Sequence, residues 1–234
     1  MKITIHVLLF MLLATGAHSE NLRSYIKSTD TEKMSNMGLD MHVSDAHGRY
    51  LMSSDSRYVI KGEFEIIDRF NGRRVNSMSE LRSSKQIVDL ELIGIDPLEL
   101  AAATMGDPEA TRGSIVFFNP LSSSMKPILK KIERLQSNGQ FVHLVPFPTK
   151  GSTMEEINDV ICGFQRDPEA TLQSLIAGRK DFDHCEVQEK LLRSLLTAAL
   201  LAQGEMPMAI TSSGRLLLGK SATQFDEVVA KESP

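Results

Sequence analysis

The sequence predicts an α+β chain: a small antiparallel β-rich segment first, then a larger α/β domain whose mixed sheet carries helices on both faces. Three observations carry this expectation. Between residues 40 and 75, short Tyr-, Val-, Ile- and Phe-rich runs alternate with turn residues. From Asn76 the apolar spacing becomes helical, and from Ser114 onward segments run in the order β-α-β-α-β-β-α. The composition of the 234 residues, 41% hydrophobic and 24% charged, is that of a folded globular chain.

Several function classes are excluded at once. With 26 Lys and Arg against 30 Asp and Glu, a net charge of −4 and no basic run, the chain has no electrostatic footprint for nucleic acid. No internal apolar stretch approaches the roughly 20 residues of a membrane span, so a multi-span membrane protein is excluded. Two cysteines are too few for a disulfide-dense miniature scaffold.

Residues 1–19 read as an export signal. Lys2 precedes an apolar run from Ile3 to Ala14, and Ala17-His18-Ser19 closes it in the small-x-small pattern of a cleavage site. The run is shorter than the roughly 20 residues of a span. Cleavage near Ser19 removes Lys2, takes the charge from −4 to −5 and leaves no membrane span. The mature chain is then expected in an oxidising compartment.

The N-terminal elements come first. Residues 20–38, with Leu22, Tyr25, Ile26, Met34 and Met37 as sparse apolar positions, suit a short amphipathic helix ending near Gly38. Residues 20–75 as a whole make the β-rich N-terminal domain, with turns at Asp45-Ala46-His47-Gly48, Ser54-Asp55-Ser56 and Lys61-Gly62. Its sheet is too small to be comfortable alone. Residues 76–112 form a linker helix region, capped by Ser77 or Ser79, with Leu81, Ile87, Val88 and Leu92 apolar and a second short helix opening at Asp96-Pro97. Asp107-Pro108 and Asp167-Pro168 repeat the same capping chemistry, Asp as cap and Pro at the first helical position.

Residues 113–234 form the larger domain. Ser114–Phe118 and Gln140–Phe147 are strands around a helix from Met125 to Gln136. Helices over 153–164, 168–177 and 187–203 come after them. A hairpin of Met208–Thr211 and Arg215–Leu218 is next, and Ala222–Lys231 closes the chain.

Candidate chemistry is sparse. His42 and His47 flank a turn beside Asp40 and Asp45, but no further ligand stands at metal-site spacing, so no metal and no cofactor are expected. Ser122-Ser123-Ser124 lacks a nucleophile elbow and a base at hand, and its hydroxyls are expected to cap the helix near Met125. His143 reads as a satisfied, partly buried strand residue. Twelve methionines, among them Met34, Met37, Met41, Met125, Met206 and Met208, read either as core filling or as an adaptable binding surface. Cys162 and Cys185 lack the spacing of a redox motif, and in an exported chain two cysteines read as one structural disulfide.

The order of elements, with Pro207 directly before the hairpin, resembles a thioredoxin fold, and Gln203-Gly204-Glu205-Met206-Pro207 resembles its cis-proline loop. With the export signal, the small β domain bearing Tyr58-Val59-Ile60-Lys61-Gly62, the linker helix and Leu144-Val145-Pro146-Phe147-Pro148, the chain resembles the bacterial periplasmic disulfide isomerase family of DsbC and DsbG. That resemblance implies a cis bond before Pro207, pairing of Cys162 with Cys185, a periplasmic location, and a homodimer joined through the N-terminal domains.

The sequence departs from the family at its catalytic motif. Ser122-Ser123-Ser124-Met125 stands where the family has Cys-x-x-Cys, and thiol-disulfide exchange needs a thiolate to attack and a second thiol to resolve. The resemblance therefore implies a degenerate isomerase that is not an enzyme: a chaperone or assembly factor for unfolded or assembling envelope polypeptides. Family members also accompany conjugative transfer and type IV secretion, and an accessory role there is an expectation by resemblance alone. The alternatives are residual isomerase activity through Cys162 and Cys185, and a structural subunit of an envelope complex.

Overall fold

The structure, a computed structural model, describes residues 29–34, 38–45, 47–107, 109–135, 139–185, 188–202 and 205–232. The expected export signal with Ser19, residues 20–28 of the expected first helix, Met37 and Pro108 lie outside the described residues. The chain divides into two compact units. One comprises the residues through Ile67 with Arg74–Ser83, the other Asp68–Arg73 with the residues from Ser84 onward.

In the first unit, β1 (Asp30–Met34), β2 (Leu39–Ser44), β3 (Gly48–Ser53) and β4 (Val59–Ile60) form an antiparallel sheet in that order. The strand β1 corrects the helix expected over residues 20–38. Its DTEKM sequence alternates half-buried and exposed positions, and it pairs with β2 from Asp30 opposite Val43 to Met34 opposite Leu39. Cross-strand pairing there outweighs the helical reading of a polar segment. The run from Phe64 to Asp68 makes only an isolated bridge, Ile67 to Arg74. Helix α1 (Met78–Ser84) lays Met78 and Leu81 with Met41, Leu51 and Val75 in one buried cluster. Arg82 bonds Asp30 at 2.6 Å and Glu32 at 3.0 Å, tying α1 to β1.

In the second unit, β5 (Ala103–Gly106), β6 (Gly113–Phe118), β7 (Phe141–Pro146), β8 (Met208–Thr211) and β9 (Leu216–Leu218) form a sheet in the order β5-β7-β6-β8-β9. β6 and β7 are parallel and joined through α3 (Lys126–Glu133), while β8 and β9 form an antiparallel hairpin. The remaining helices are α2 (Pro97–Leu100), α4 (Met154–Arg166), α5 (Pro168–Ile176), α6 (Gln188–Leu201) and α7 (Phe225–Lys231). This strand order, with a β-α-β half, a hairpin-helix half and helices inserted between them, is thioredoxin-like.

The strand β6 is buried at all six positions, as a central strand covered on both faces must be. Val116 and Phe118 pack with Ile128, Ile132, Phe164 and Phe225, whereas Ile115 and Phe117 pack with Val145, Ala198, Leu201 and Met208. Strand β5 lies in the stretch that reads as helical, and it pairs antiparallel with the outer edge of β7. Gly106 makes that pairing possible. Its φ is +100°, and a Cβ there would fall on the Gln140 carbonyl oxygen.

Asp96 and Asp167 cap α2 and α5 as expected of Asp-Pro pairs. Asp107 instead holds the Glu109 N–H at 2.9 Å in a turn that does not continue as a helix. Among the described residues, no helix is long and apolar enough to cross a membrane.

Candidate functional site

The site lies at the C-terminal end of β6. Asn119 leaves the strand buried and organises the loop that carries Ser122. Its side-chain oxygen accepts from the Leu121 N–H at 3.0 Å, its carbonyl accepts from the Ser122 N–H at 3.2 Å, and its amide nitrogen donates to Thr149 Oγ1 at 2.8 Å and Ser152 Oγ at 3.0 Å. The loop after β6 is thereby fastened to the loop after β7, and Phe147 N–H bonds the Phe118 carbonyl at 2.8 Å beside it. Each of these bonds satisfies a polar group near the core, which is why the loop holds one shape.

Ser122 is half-buried, Ser123 and Ser124 are exposed, and Met125 is half-buried against the core. The capping role expected of the serines is corrected. Ser123–Met125 form a 3-10 turn, Met125 occupies the cap position of α3, and no side chain caps either element. Ser122 and Ser124 hydrogen-bond each other at 2.8 Å instead. The extra turn moves α3 one step down the chain, so the hydroxyls sit ahead of the helix rather than on its first N–H groups. Among the described residues, the Ser123 and Ser124 N–H groups meet no acceptor.

The register of β6 and β8 brings in the second loop. Met208 stands opposite Phe117, so Met206 and Pro207, which precede it, belong to the sheet end that carries Phe118 to Ser122. The Met206–Pro207 bond is cis. Met206 is half-buried and packs against the Phe117 and Met208 cluster, while Glu205 beside it is exposed. Among the described residues, neither the N–H nor the C=O of Met206 has a backbone partner.

Cys162, 4% exposed on α4, and the half-buried Cys185 form a disulfide with Cα atoms 5.9 Å apart. Asn158 donates its side-chain amide to the Cys185 carbonyl, and His184 Nδ1 lies 2.8 Å from Asp159 Oδ1, so both Cys185 and His184 are held by α4. Cys162 lies in the second half of α4 rather than at its N-terminus, and the helix supplies no positive end to stabilise its thiolate.

The other candidates separate from the site. His42 is 6% exposed, stacks on Tyr50 with ring centroids 5.2 Å apart, and shares a 3.0 Å hydrogen bond with Thr31; burial lowers its pKa, opposed by Asp40. His143 shares a 2.8 Å bond with Thr104, and burial lowers its pKa as well, opposed by Asp96. Among the described residues, no three His, Cys, Asp or Glu side chains come together as a metal site. The exposed methionine surface is corrected in two places: Met41 and Met208 are fully buried, because both lie on central strands. Met34, Met125 and Met206 are half-buried.

Sequence reasoning passes over Asn119, although Asn119-Pro120 after an apolar run is a turn signal. It also passes over Lys126, Arg179 and Lys180, which line a cleft of about 220 Å³ with Ser122 and Ser123. Nothing local marks that group, since α5 must fold back beside α3 before it exists.

No family model matches the chain, and no curated protein matches it. Among solved structures, it is similar to a periplasmic thioredoxin-like protein from Salmonella enterica serovar Typhimurium, at 17% identity over 58% of this chain and 90% of that one, with a TM-score of 0.44. It is also similar to the thiol-disulfide exchange protein alpha-DsbA2 from Wolbachia pipientis, at 14% identity over 54% and 86%, TM-score 0.42. A third is Proteus mirabilis ScsC in a compact conformation, at 19% identity over 53% and 75%, TM-score 0.44. The expectation that the chain is not an enzyme is corrected at this point. Similar structures include a protein described as a thiol-disulfide exchange protein, and the chain itself keeps a cysteine pair, joined as the Cys162–Cys185 disulfide. The chain carries a mixed α/β sheet whose strand order, β5-β7-β6-β8-β9, is thioredoxin-like.

Proposed function

We propose that this is an exported, DsbC-like polypeptide-binding protein that engages extended clients across the Ser122–Met125 and Met206–Pro207 loops, with its thiol-disulfide chemistry residing in Cys162 and Cys185. The observation that carries the reading is Met206. Its N–H and C=O are free of backbone partners among the described residues, at the sheet end where the Ser122 loop also emerges. A single residue with both main-chain groups available pairs with a client backbone as one rung of a strand, whatever the client's sequence. Clients of this kind are unfolded or assembling envelope polypeptides, and the chain acts on them as a chaperone or assembly factor in the periplasm.

Two assays test this reading. Stoichiometric protein is expected to suppress aggregation of a reduced client, and a photo-crosslinker placed at position 206 is expected to capture that client. Absence of both would overturn the binding reading. Insulin reduction by the unmodified chain, lost in Cys185→Ala, is the expected signature of exchange through the disulfide; turnover that survives Cys185→Ala would refute that assignment.

A further inference from the structure

Beside the Ser122 loop, three cations converge from two separate elements. Lys126 opens α3, while Arg179 and Lys180 come just after α5, and with Ser122 and Ser123 they line the cleft of about 220 Å³. All three basic side chains belong to exposed residues, and among the described residues none of the three makes an ion pair. Lys180 acts at longer range on Glu156, whose carboxylate already accepts from the Thr153 N–H at 2.7 Å, and Asp181 follows Lys180 in the chain.

The end of α5 does not consume Lys126 either. Its ammonium lies 3.8 Å from where a Gly178 Cβ would stand, at a turn whose carbonyls at Gln173, Ser174 and Leu175 already accept from the N–H groups of Ala177, Arg179 and Gly178. The serine side contributes donors. Ser122 and Ser124 satisfy each other, but the Ser123 hydroxyl and the Ser123 and Ser124 N–H groups meet no acceptor among the described residues. Three positive charges with the hydroxyl and N–H of Ser123 thus line a cleft of about 220 Å³, in a chain whose net charge is negative. Donors without acceptors beside cations that make no direct ion pair are the complement of an oxyanion.

We propose that this cleft is a carboxylate subsite that receives an acidic side chain of the bound polypeptide and so gives the protein a preference for Asp- and Glu-rich client segments. The inference rests on the polypeptide-binding reading and specifies its client. The replacement of the family's first cysteine by Ser122 changes meaning with it: a hydroxyl-lined pocket takes the place of a thiolate, whose negative charge would repel such a group.

The test uses the chain from Glu20 and a short fluorescent Glu-rich peptide, with a Gln-rich peptide of the same length as its neutral counterpart, read by anisotropy. Tighter binding of the Glu peptide by about tenfold is expected, as charge-assisted bonds allow, and the gap is expected to close as salt is raised. In the Lys126→Gln, Arg179→Gln double variant, with its melting temperature checked against the parent, the Glu peptide is expected to fall to the affinity of the Gln peptide. Equal affinities in the unmodified protein, or a preference that survives the double variant, overturns the subsite and leaves the binding reading standing. Inorganic phosphate, followed through the amide resonances of Ser123 and Ser124, separates the two ideas. Resonance shifts with phosphate, lost in the double variant, while neither peptide binds, support an anion site and overturn its polypeptide occupant. No phosphate shift and no peptide binding overturns both.

Discussion

The Asn119 side chain donates to Thr149, thirty positions along the chain, at 2.8 Å, and to Ser152 at 3.0 Å. This buried amide, with the bond from Phe147 N–H to the Phe118 carbonyl, ties together the loops at the C-terminal ends of the parallel strands β6 and β7. Position 119 is therefore the place where loss of a side chain should loosen the site without touching it.

Asn119→Ala is expected to cost about 1–3 kcal/mol, the range for leaving buried polar partners unmade. It removes the acceptor of Leu121 N–H as well as both donors. Thermal unfolding measures the loss. Amide exchange at Leu121 and Ser122 is expected to rise by more than the global destabilisation accounts for, and uniform acceleration across the unit would refute the local role.

Reduction of the disulfide gives a second prediction. Cys162 and Cys185 are 23 positions apart, and closing such a loop stabilises by about 3 kcal/mol in the chain-entropy estimate. The Cys162→Ala, Cys185→Ala variant is expected to lose that amount in denaturant titration. Accessibility orders the chemistry: Cys162 is buried and Cys185 half-buried, so an incoming thiolate reaches the Cys185 sulfur first and Cys162 leaves. Exchange with a small-molecule disulfide, which releases one small thiol, is therefore expected to leave a mixed disulfide on Cys185 in Cys162→Ala and far less on Cys162 in Cys185→Ala. Equal trapping at both positions would contradict this order.

How far the sequence reaches is visible in particular residues. The runs Ile115–Phe118 and Val142–Val145 and the leucine-rich stretch from Leu191 to Leu200 announce buried strands and a helix, because burial on both faces or on one stripe writes its period directly into the chain. β5 escapes that logic. Ala103-Thr104-Met105-Gly106 has little strand character and becomes a strand only because the edge of β7 offers partners. β1 escapes likewise, since Asp30-Thr31-Glu32-Lys33 is polar and its period shows only against β2. The serine turn stands where the sequence places it but makes different bonds, because a 3-10 turn ahead of α3 is decided by packing. The cleft is the least legible feature: Lys126 and Arg179 are far apart in sequence and meet only after α5 has folded back.

Stability of the first unit is expected to depend on pH through His42. Burial lowers its pKa below the ordinary value of 6.5, against a weaker opposing pull from Asp40. The unfolded chain then binds more protons than the folded one, so stability is fully present above about pH 6.5 and is lost as the pH falls below that value. His42→Phe keeps a ring against Tyr50 and removes the titration. Its stability is expected to vary less steeply between about pH 6.5 and 5 than that of the parent. An unchanged slope would exclude His42 as the source. His143, lowered in the same direction, belongs to the other unit and is read separately by His143→Gln.

The homodimer that the resemblance implies makes the last prediction. In the sheet β1-β2-β3-β4, β4 is an edge strand of two residues. Its Ile60 is 48% exposed, and Tyr58 just before it is 61% exposed. A short strand with unpaired backbone and large apolar side chains in water is an edge that proteins ordinarily cover, either with their own chain or with a partner. A second copy is the economical cover here, because antiparallel pairing of β4 with its own twofold mate places Tyr58 and Ile60 of each chain against the other. Light scattering on the chain from Glu20 is expected to give twice the chain mass at tens of micromolar, and Ile60→Lys is expected to give one, since a charge at the centre of a small apolar contact is left without a counterion. A single-chain mass for the unmodified protein overturns the dimer, and a dimer that withstands Ile60→Lys moves its interface away from β4.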